Sequence, residues 1–415
     1  MNLYRRVAAL ATAAPQAPAA AGPDGAVLTR AELMDRIARP RPRHPGAGAE
    51  DPLAVVIDQL RAQREGGQML TLATSGSSTA PRMVRRSVRS WTASLDDLDA
   101  LVRPRPIGSP RRRDDGWLWA PGTAGSTLTL YGVWHGLGCG IPVLASGSWH
   151  GVPREGPLAE HAARASVIHC VPAVLQDVLE SIPERVPGSA GSARRGGSPG
   201  RRVLSLRTAV VAGGRTSARL RERARGAEVR LVEYYGAAEL SFVAVDPDGG
   251  GLRPFPGVEV EVRDGVVWAR SELLAEGVAG LDGWAAVGDR ARLRDDGTLE
   301  LLGRPGVAEV AGHTVHLAEV EALLAGVTGV AEIVCLAEPR PRVGERVLAV
   351  FRPEDGADPL AGLRAAARRL PPASRPGRFV RRVQLPRTPA GKVARDQLAD
   401  ELRTAGATLA GGRGA

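Results

Sequence analysis

The chain has 415 residues, too many for one ordinary core, so two or three domains are expected, and its 43% hydrophobic content excludes a disordered polymer. No apolar run reaches the roughly 18 residues of a membrane helix, and three dispersed cysteines (Cys139, Cys170, Cys335) without a CxxC pair offer neither a disulfide framework nor a zinc site, which fits a reducing cytoplasm. The net charge of +10 suggests nucleic acid at first sight, but the arginines are spread along the chain and aromatics make up only 4%, too few for base-stacking platforms, so no nucleic-acid partner is expected.

Residues 1–37 read as a helix, a turn at Gly22-Pro23-Asp24-Gly25 and a second helix starting near Thr29. Arg5 and Arg6 ahead of alanines look superficially like an export signal, but Thr12, Pro15 and Gln16 break the apolar stretch, so a short opening helix is expected. Residues 38–50 are Pro/Gly-rich and read as a linker, and 51–64 as a helix. QMLTLA (68–73) reads as a buried strand running into a Ser/Gly/Thr loop. A strand–helix alternation follows: WLWA (117–120), a helix over 127–138, IPVLA (141–145), SVIHCVP (166–172), a helix over 173–181 and LRTAVVAGG (206–214). It predicts an α/β domain with a parallel sheet covered by helices. Residues 183–202 are a low-complexity loop.

Beyond residue 228 the texture changes to short alternating strands with Asp-Gly turns, which predicts a small antiparallel β-rich unit over about 228–302. Gly303 onward reads as a separate α+β domain, with a helix over 318–325, strands at 330–336 and 346–352 and a helix over 359–370. The expected division is therefore 1–302 and a mobile 303–415.

Lys392 is the one lysine among 55 basic residues. An arginine-rich coding bias would replace lysine wherever only charge matters. A compact ammonium at a reacting group is not replaceable in that way, which marks Lys392 as a functional candidate. TSGSSTAPR (74–82) follows a strand and could close backbone N–H groups and hydroxyls around phosphate, although a ligand-free Ser/Gly turn fits it equally. EYYGAAE (233–239) could place aromatics on a base and a carboxylate on Mg²⁺; taken alone, Tyr234 and Tyr235 read more simply as sheet core and Glu239 as surface. Asp289 ends a strand after Gly288, where it could accept bonds from ribose hydroxyls or be a plain turn residue. His313 and His316 lack ligands at metal spacing, and 313–324 reads as a structural strand-to-helix junction.

Taken in order, these segments resemble the adenylate-forming superfamily: acyl-CoA synthetases, aryl-CoA ligases and peptide-synthetase adenylation domains. That family's TSGSTGxPK, YGxTE, TGD, GR hinge, GGxxVxPxEVE and PRTxxGK are matched by TSGSSTAPR, YGAAE, VGD, GRP, AGHTVHLAEVE and PRTPAGK, and LRTAVVAGG and PFPGVEVEVRDG also fit. The likeness covers about 68–400, and in size the chain is similar to short o-succinylbenzoate-CoA ligase-like members. It implies that Thr74, Ser75, Gly76, Ser77 and Ser78 bind ATP phosphates. Gly213, Gly214, Tyr235 and Gly236 would border adenine and the acyl group, Glu239 would hold Mg²⁺, and Asp289 would bind ribose. Arg304 would support the nucleotide at the hinge, and Lys392 would bridge carboxylate and α-phosphate.

The implied activity is ATP- and Mg²⁺-dependent activation of a carboxylic acid, then transfer to a thiol, CoA first and carrier-protein phosphopantetheine as the variant. The chain departs from the pattern at Thr79, Arg82, Ala238 and Gly306, at Ala124 where the family has a gating histidine, and in an abbreviated first subdomain. These departures keep open a second expectation, a non-catalytic homologue that binds nucleotide or acyl-adenylate or serves as a scaffold.

Overall fold

The computed structural model describes residues 2–22, 24–39, 51–73, 83–103, 116–146, 163–181, 205–214, 216–304, 306–340, 343–386 and 393–411. They group into two compact units, one ending at Gly303 and one beginning at Arg304.

The first unit opens with the helix Leu3–Ala13, whose orphan amides are capped by Asn2. Two short strands, β1 (Pro18–Ala21) and β2 (Val27–Thr29), flank the Gly22–Gly25 turn. Thr29 then starts the helix Arg30–Ala38 with a capping box to Glu32. The expected helices stand; the two strands between them are additional. Helix Pro52–Arg64 begins as expected, with Asp51 as cap and proline in its first turn.

β3 (Met69–Ala73) pairs antiparallel with β4 (Met83–Ser87) in a two-stranded sheet of its own. The prediction of a buried strand here is corrected: Leu70 and Leu72 are buried but Thr71 is exposed, so only one face is covered.

The main sheet is built from β5 (Trp117–Ala120), β6 (Val143–Ala145), β7 (Ala165–Cys170), β8 (Thr208–Val211), β9 (Arg230–Ala237), β10 (Ser241–Asp246) and β11 (Arg253–Pro254) together with β1 and β2. Its order is β11-β10-β9-β8-β7-β5-β6-β1-β2. From β9 to β1 every neighbouring pair is parallel, and only the two edges are antiparallel. Side-chain alternation sends Leu118, Val167 and Val210 to one face and Trp119, Ile168 and Val211 to the other. Both faces are buried, as a helix-covered parallel sheet requires. The helix Thr127–Cys139, apolar on nearly every side, packs on the first face between its Ser126 cap and the left-handed Gly140. Helices Pro172–Ser181 and Ala218–Gly226 cover the second.

The β-rich region also needs correction. EVRLVEYYG does not belong to it: this stretch forms β9, parallel to β8 in the main sheet. The antiparallel unit is smaller, with strands Glu259–Arg263, Val266–Arg270, Arg290–Leu293 and Leu299–Gly303. Sequence alternation looks the same in a central strand and in a half-exposed one, which is why the boundary was misplaced.

The second unit is α+β. A hairpin of Val307–Val310 and His313–His316 leads straight into the helix Leu317–Ala325, the expected strand-to-helix junction. Long strands Val330–Arg340 and Gly344–Pro353 pair antiparallel, with Arg378–Arg381 parallel beside the second. Helix Leu360–Ala367 covers one face and Arg395–Gly411 contributes to the other.

Candidate active site

Among the described residues singled out in the first unit, Gly213, Gly214, Tyr235, Gly236 and Glu239 lie at or just beyond the carboxyl ends of β8 and β9, the edge at which open α/β sheets bind ligands. Gly213 follows β8 with φ +73, a left-handed value that favours glycine; Gly214 comes next. Tyr235 and Gly236 lie near the end of β9, and Glu239 lies in the turn joining β9 to β10. That turn is tight. The Leu240 amide donates to the Ala237 carbonyl at 3.1 Å, Ser241 has φ +63, and the pairing is bulged between Phe242 and Ala244. Gly236 has no alternative here, because a Cβ at that position would sit 2.1 Å from the Ser241 carbonyl oxygen.

Asp289, 54 positions from Tyr235 in sequence, accepts a 2.7 Å hydrogen bond from the Tyr235 hydroxyl at Oδ2. Tyr235 is 8% exposed, so its ring is anchored in the core while its oxygen reaches the half-buried carboxylate. Tyr234 packs against Phe242, with centroids 4.5 Å apart, and belongs to the core as its plainer reading held.

The Glu239 turn is held from below. Arg86, fully buried on β4, donates from Nη1 to the Ala238 carbonyl at 2.8 Å, from Nη2 to the Leu273 carbonyl and from Nε to Ser90 Oγ at 3.3 Å. The Ala275 amide donates to the Glu239 carbonyl at 2.8 Å, and the Glu276 amide to the Arg85 carbonyl at 2.9 Å. Burial pushes the Arg86 guanidinium down to about 10, opposed by Tyr131 and Glu239. The Glu239 carboxylate itself has no hydrogen-bond or ion-pair partner among the described residues. A half-buried carboxylate with no such partner among the described residues is a suitable hard oxygen donor for Mg²⁺. The neighbouring Glu233 is different: Arg221 clamps both its oxygens, at 2.6 and 2.9 Å.

A second polar group lies inside the first unit and was not read from sequence. His135 Nε2 is 3.3 Å from Asp99 Oδ1, and His135 Nδ1 is 3.1 Å from His169 Nε2; both imidazoles are buried. Arg103 pairs with the same Asp99. Burial lowers both histidine pKa values, with Asp99 opposing this at His135. For Asp99, burial acts upward, but His135 and Arg103 hold the carboxyl below its ordinary value. Asp99, His135 and Cys139 place candidate ligand atoms within 4.8 Å of one another. They do not suit a metal: Arg103 already neutralises the carboxylate, and burial pushes the Cys139 thiol up to about 12.

Thr74, Ser75, Gly76, Ser77, Ser78 and Lys392 lie outside the described residues, as do Thr79 and Arg82. Ala124 packs against the main core. In the second unit Arg304 is half-buried, and Gly306 is exposed with φ +76 and open space around its Cα. Among the described residues, no helix is long and apolar enough to cross a membrane.

Residues 59–280, more than half of the chain, match the AMP-binding enzyme family, and residues 319–392 match the AMP-binding enzyme C-terminal domain. The isonitrile lipopeptide synthase of Streptomyces coeruleorubidus is 33% identical over 230 residues, covering 47% of this chain. The chain spans only 15% of that protein. The fatty acid–[acyl-carrier-protein] ligase MmaC of Mycobacterium marinum is 25% identical over 421 residues, covering 87% of this chain and 71% of MmaC. Among solved structures, the amide bond synthetase McbA from Marinactinospora thermotolerans aligns with a TM-score of 0.71 at 21% identity, over 97% of this chain and 99% of McbA. A double mutant of the o-succinylbenzoate CoA synthetase from Bacillus subtilis aligns with a TM-score of 0.72 at 16% identity, over 96% and 98%. At these identities the structures speak for the fold alone. With the sheet, the ordered motifs and the two family matches in agreement, the chain belongs to the AMP-binding enzyme family, within the adenylate-forming superfamily.

Proposed function

We propose that the chain is an AMP-forming acid–thiol ligase. The carboxylate oxygen of an acid attacks the α-phosphorus of ATP, the bond to the β-phosphate bridging oxygen breaks, and pyrophosphate leaves. A thiol sulfur then attacks the acyl carbon, loses its proton, and AMP leaves as the acyl–oxygen bond breaks. The observation that carries the reading is the Tyr235–Asp289 hydrogen bond beside the Glu239 turn, which unites two motifs far apart in sequence.

In this reading Asp289, oriented by Tyr235, accepts from ribose hydroxyls. Gly213, Gly214 and Gly236 keep the strand ends bare of side chains where adenine and the acyl group approach. Glu239 would hold Mg²⁺, whose charge offsets that of the phosphate oxygens. Thr74 to Ser78 would close on the phosphates, and Arg304 would support the nucleotide. Lys392 would stand between carboxylate and α-phosphate, two anions that repel until a desolvated cation separates them. Residues 303–415 would act as a mobile domain that withdraws Lys392 before thiol attack.

CoA and a carrier-protein phosphopantetheine are both thiol acceptors of the required chemistry. The 87% coverage by a carrier-protein ligase favours giving the second equal weight. Mass spectrometry of reactions supplied with acid, MgATP and either CoA or a holo-carrier protein tests the reading. Acyl-AMP should form without thiol and the thioester with one acceptor; AMP released without either product would contradict it.

A further inference from the structure

We infer that Arg86 is the positioning residue of the Glu239 turn, holding that carboxylate in the orientation a metal–nucleotide requires; the inference rests on the ligase reading above. The turn has little to hold it in place by itself. Ala238 offers no side-chain hydrogen bond, so its neighbours must grip the backbone. Two successive carbonyls are gripped, Ala238 by Arg86 and Glu239 by the Ala275 amide, both at 2.8 Å. Arg86 also holds the Leu273 carbonyl, in the segment that carries Ala275. One planar guanidinium therefore ties three pieces together: β4, the β9–β10 turn, and residues 273–276. The guanidinium reaches the two carbonyls from two different nitrogens of a rigid planar fork, whereas a lysine ammonium has its three donors on one nitrogen and cannot reproduce that span.

The hydrogen bonds of Arg86 all go to neutral acceptors, and among the described residues no carboxylate lies within ion-pair distance of it; Glu239 acts on its charge only at longer range, so this buried guanidinium is a costly arrangement for fold stability alone. The sign of its electrostatic effect separates two roles. A cation near Glu239 repels a metal ion, so if charge were all that mattered, its removal would tighten metal binding. If Arg86 aims the carboxylate, its removal weakens metal binding by about 10- to 100-fold, the scale of losing an outer partner of a metal ligand.

The test uses the full chain, its Arg86→Gln and Arg86→Lys variants, and Mn²⁺ with α,β-methylene-ATP as the probe, read by electron paramagnetic resonance. Amide hydrogen exchange at Leu240 and Ala275 is followed in parallel, with the β8 amides as a control. The expected result is weaker Mn²⁺ binding in Arg86→Gln by about 10- to 100-fold, an intermediate value in Arg86→Lys, and faster exchange at Leu240 and Ala275 with β8 unchanged. Unchanged or tighter Mn²⁺ binding overturns the inference, as does unfolding of both variants, which would assign Arg86 to the fold at large. The exchange arm needs no ligand, so unchanged turn protection in Arg86→Gln defeats the inference even in an active ligase. A wild-type chain that binds no metal–nucleotide instead defeats the ligase reading.

Discussion

Tyr235→Phe removes a single oxygen and leaves the anchoring ring in place. Tyr235 is 8% exposed and packs in the main core, so phenylalanine should keep the fold. What disappears is the 2.7 Å hydrogen bond to Asp289. A hydrogen bond to a charged group is worth about 1.5–3 kcal/mol, or roughly 10- to 150-fold in affinity at 1.4 kcal/mol per decade. Asp289 is half-buried, and water can replace part of the bond, so about tenfold is expected. The loss should fall on the KM for ATP in pyrophosphate exchange, with the KM for the acid little changed. A double-mutant cycle with Asp289→Asn sharpens the test: if the two act through one bond, the double variant is scarcely worse than either single one. Equal loss for ATP and acid, or fully additive effects, would refute the assignment of this pair to the nucleotide.

Other substitutions probe other parts of the account. Gly236→Ala drives a Cβ to within 2.1 Å of the Ser241 carbonyl oxygen, so it should cost about 1–3 kcal/mol and lower the melting temperature of the first unit in calorimetry. Lys392→Ala should slow adenylate formation by on the order of 100-fold, Lys392→Arg should restore little, and thioester formation from a synthetic acyl-adenylate should be spared. Acid pH should weaken the first unit through its buried histidines. Their folded pKa values are lowered, so the stability they confer is complete above about pH 6.5 and declines below it, as the unfolded chain takes up protons that His135 and His169 refuse. Urea midpoints should fall from about pH 7.5 to 5, and His169→Gln should flatten that slope.

The sheet core was legible because apolar runs bounded by glycine and proline report burial directly. LRTAVVAGG became β8, WLWA became β5, and the largely apolar stretch 127–138 became the central helix. β1 was not legible: Pro18–Ala21 is alanine-rich, and alanine favours helix until a neighbouring strand, here β6, claims its backbone. β9 was read as a strand but given to the wrong sheet, since alternation states which residues face inward and not which partner they meet. Of the candidate site, motif order pointed to Tyr235, Glu239 and Asp289, and the fold joins Tyr235 to Asp289 by a hydrogen bond. The residues that support it were not. Arg86 is one arginine in an arginine-rich chain, and only its burial beneath Ala238 distinguishes it. His135 and His169 stand 34 positions apart on a helix and a strand, with no spacing that would pair them before the fold does.

The central claim is that this chain makes an adenylate. The direct measurement is ATP–pyrophosphate exchange by the wild-type chain with Mg²⁺ and a panel of carboxylic acids of varied chain length and ring content. The account predicts acid-dependent exchange with at least one acid, abolished by chelating Mg²⁺ and reduced in Glu239→Gln. Nucleotide binding without exchange for any acid would contradict it and would establish instead a homologue that holds the nucleotide without joining it to an acid.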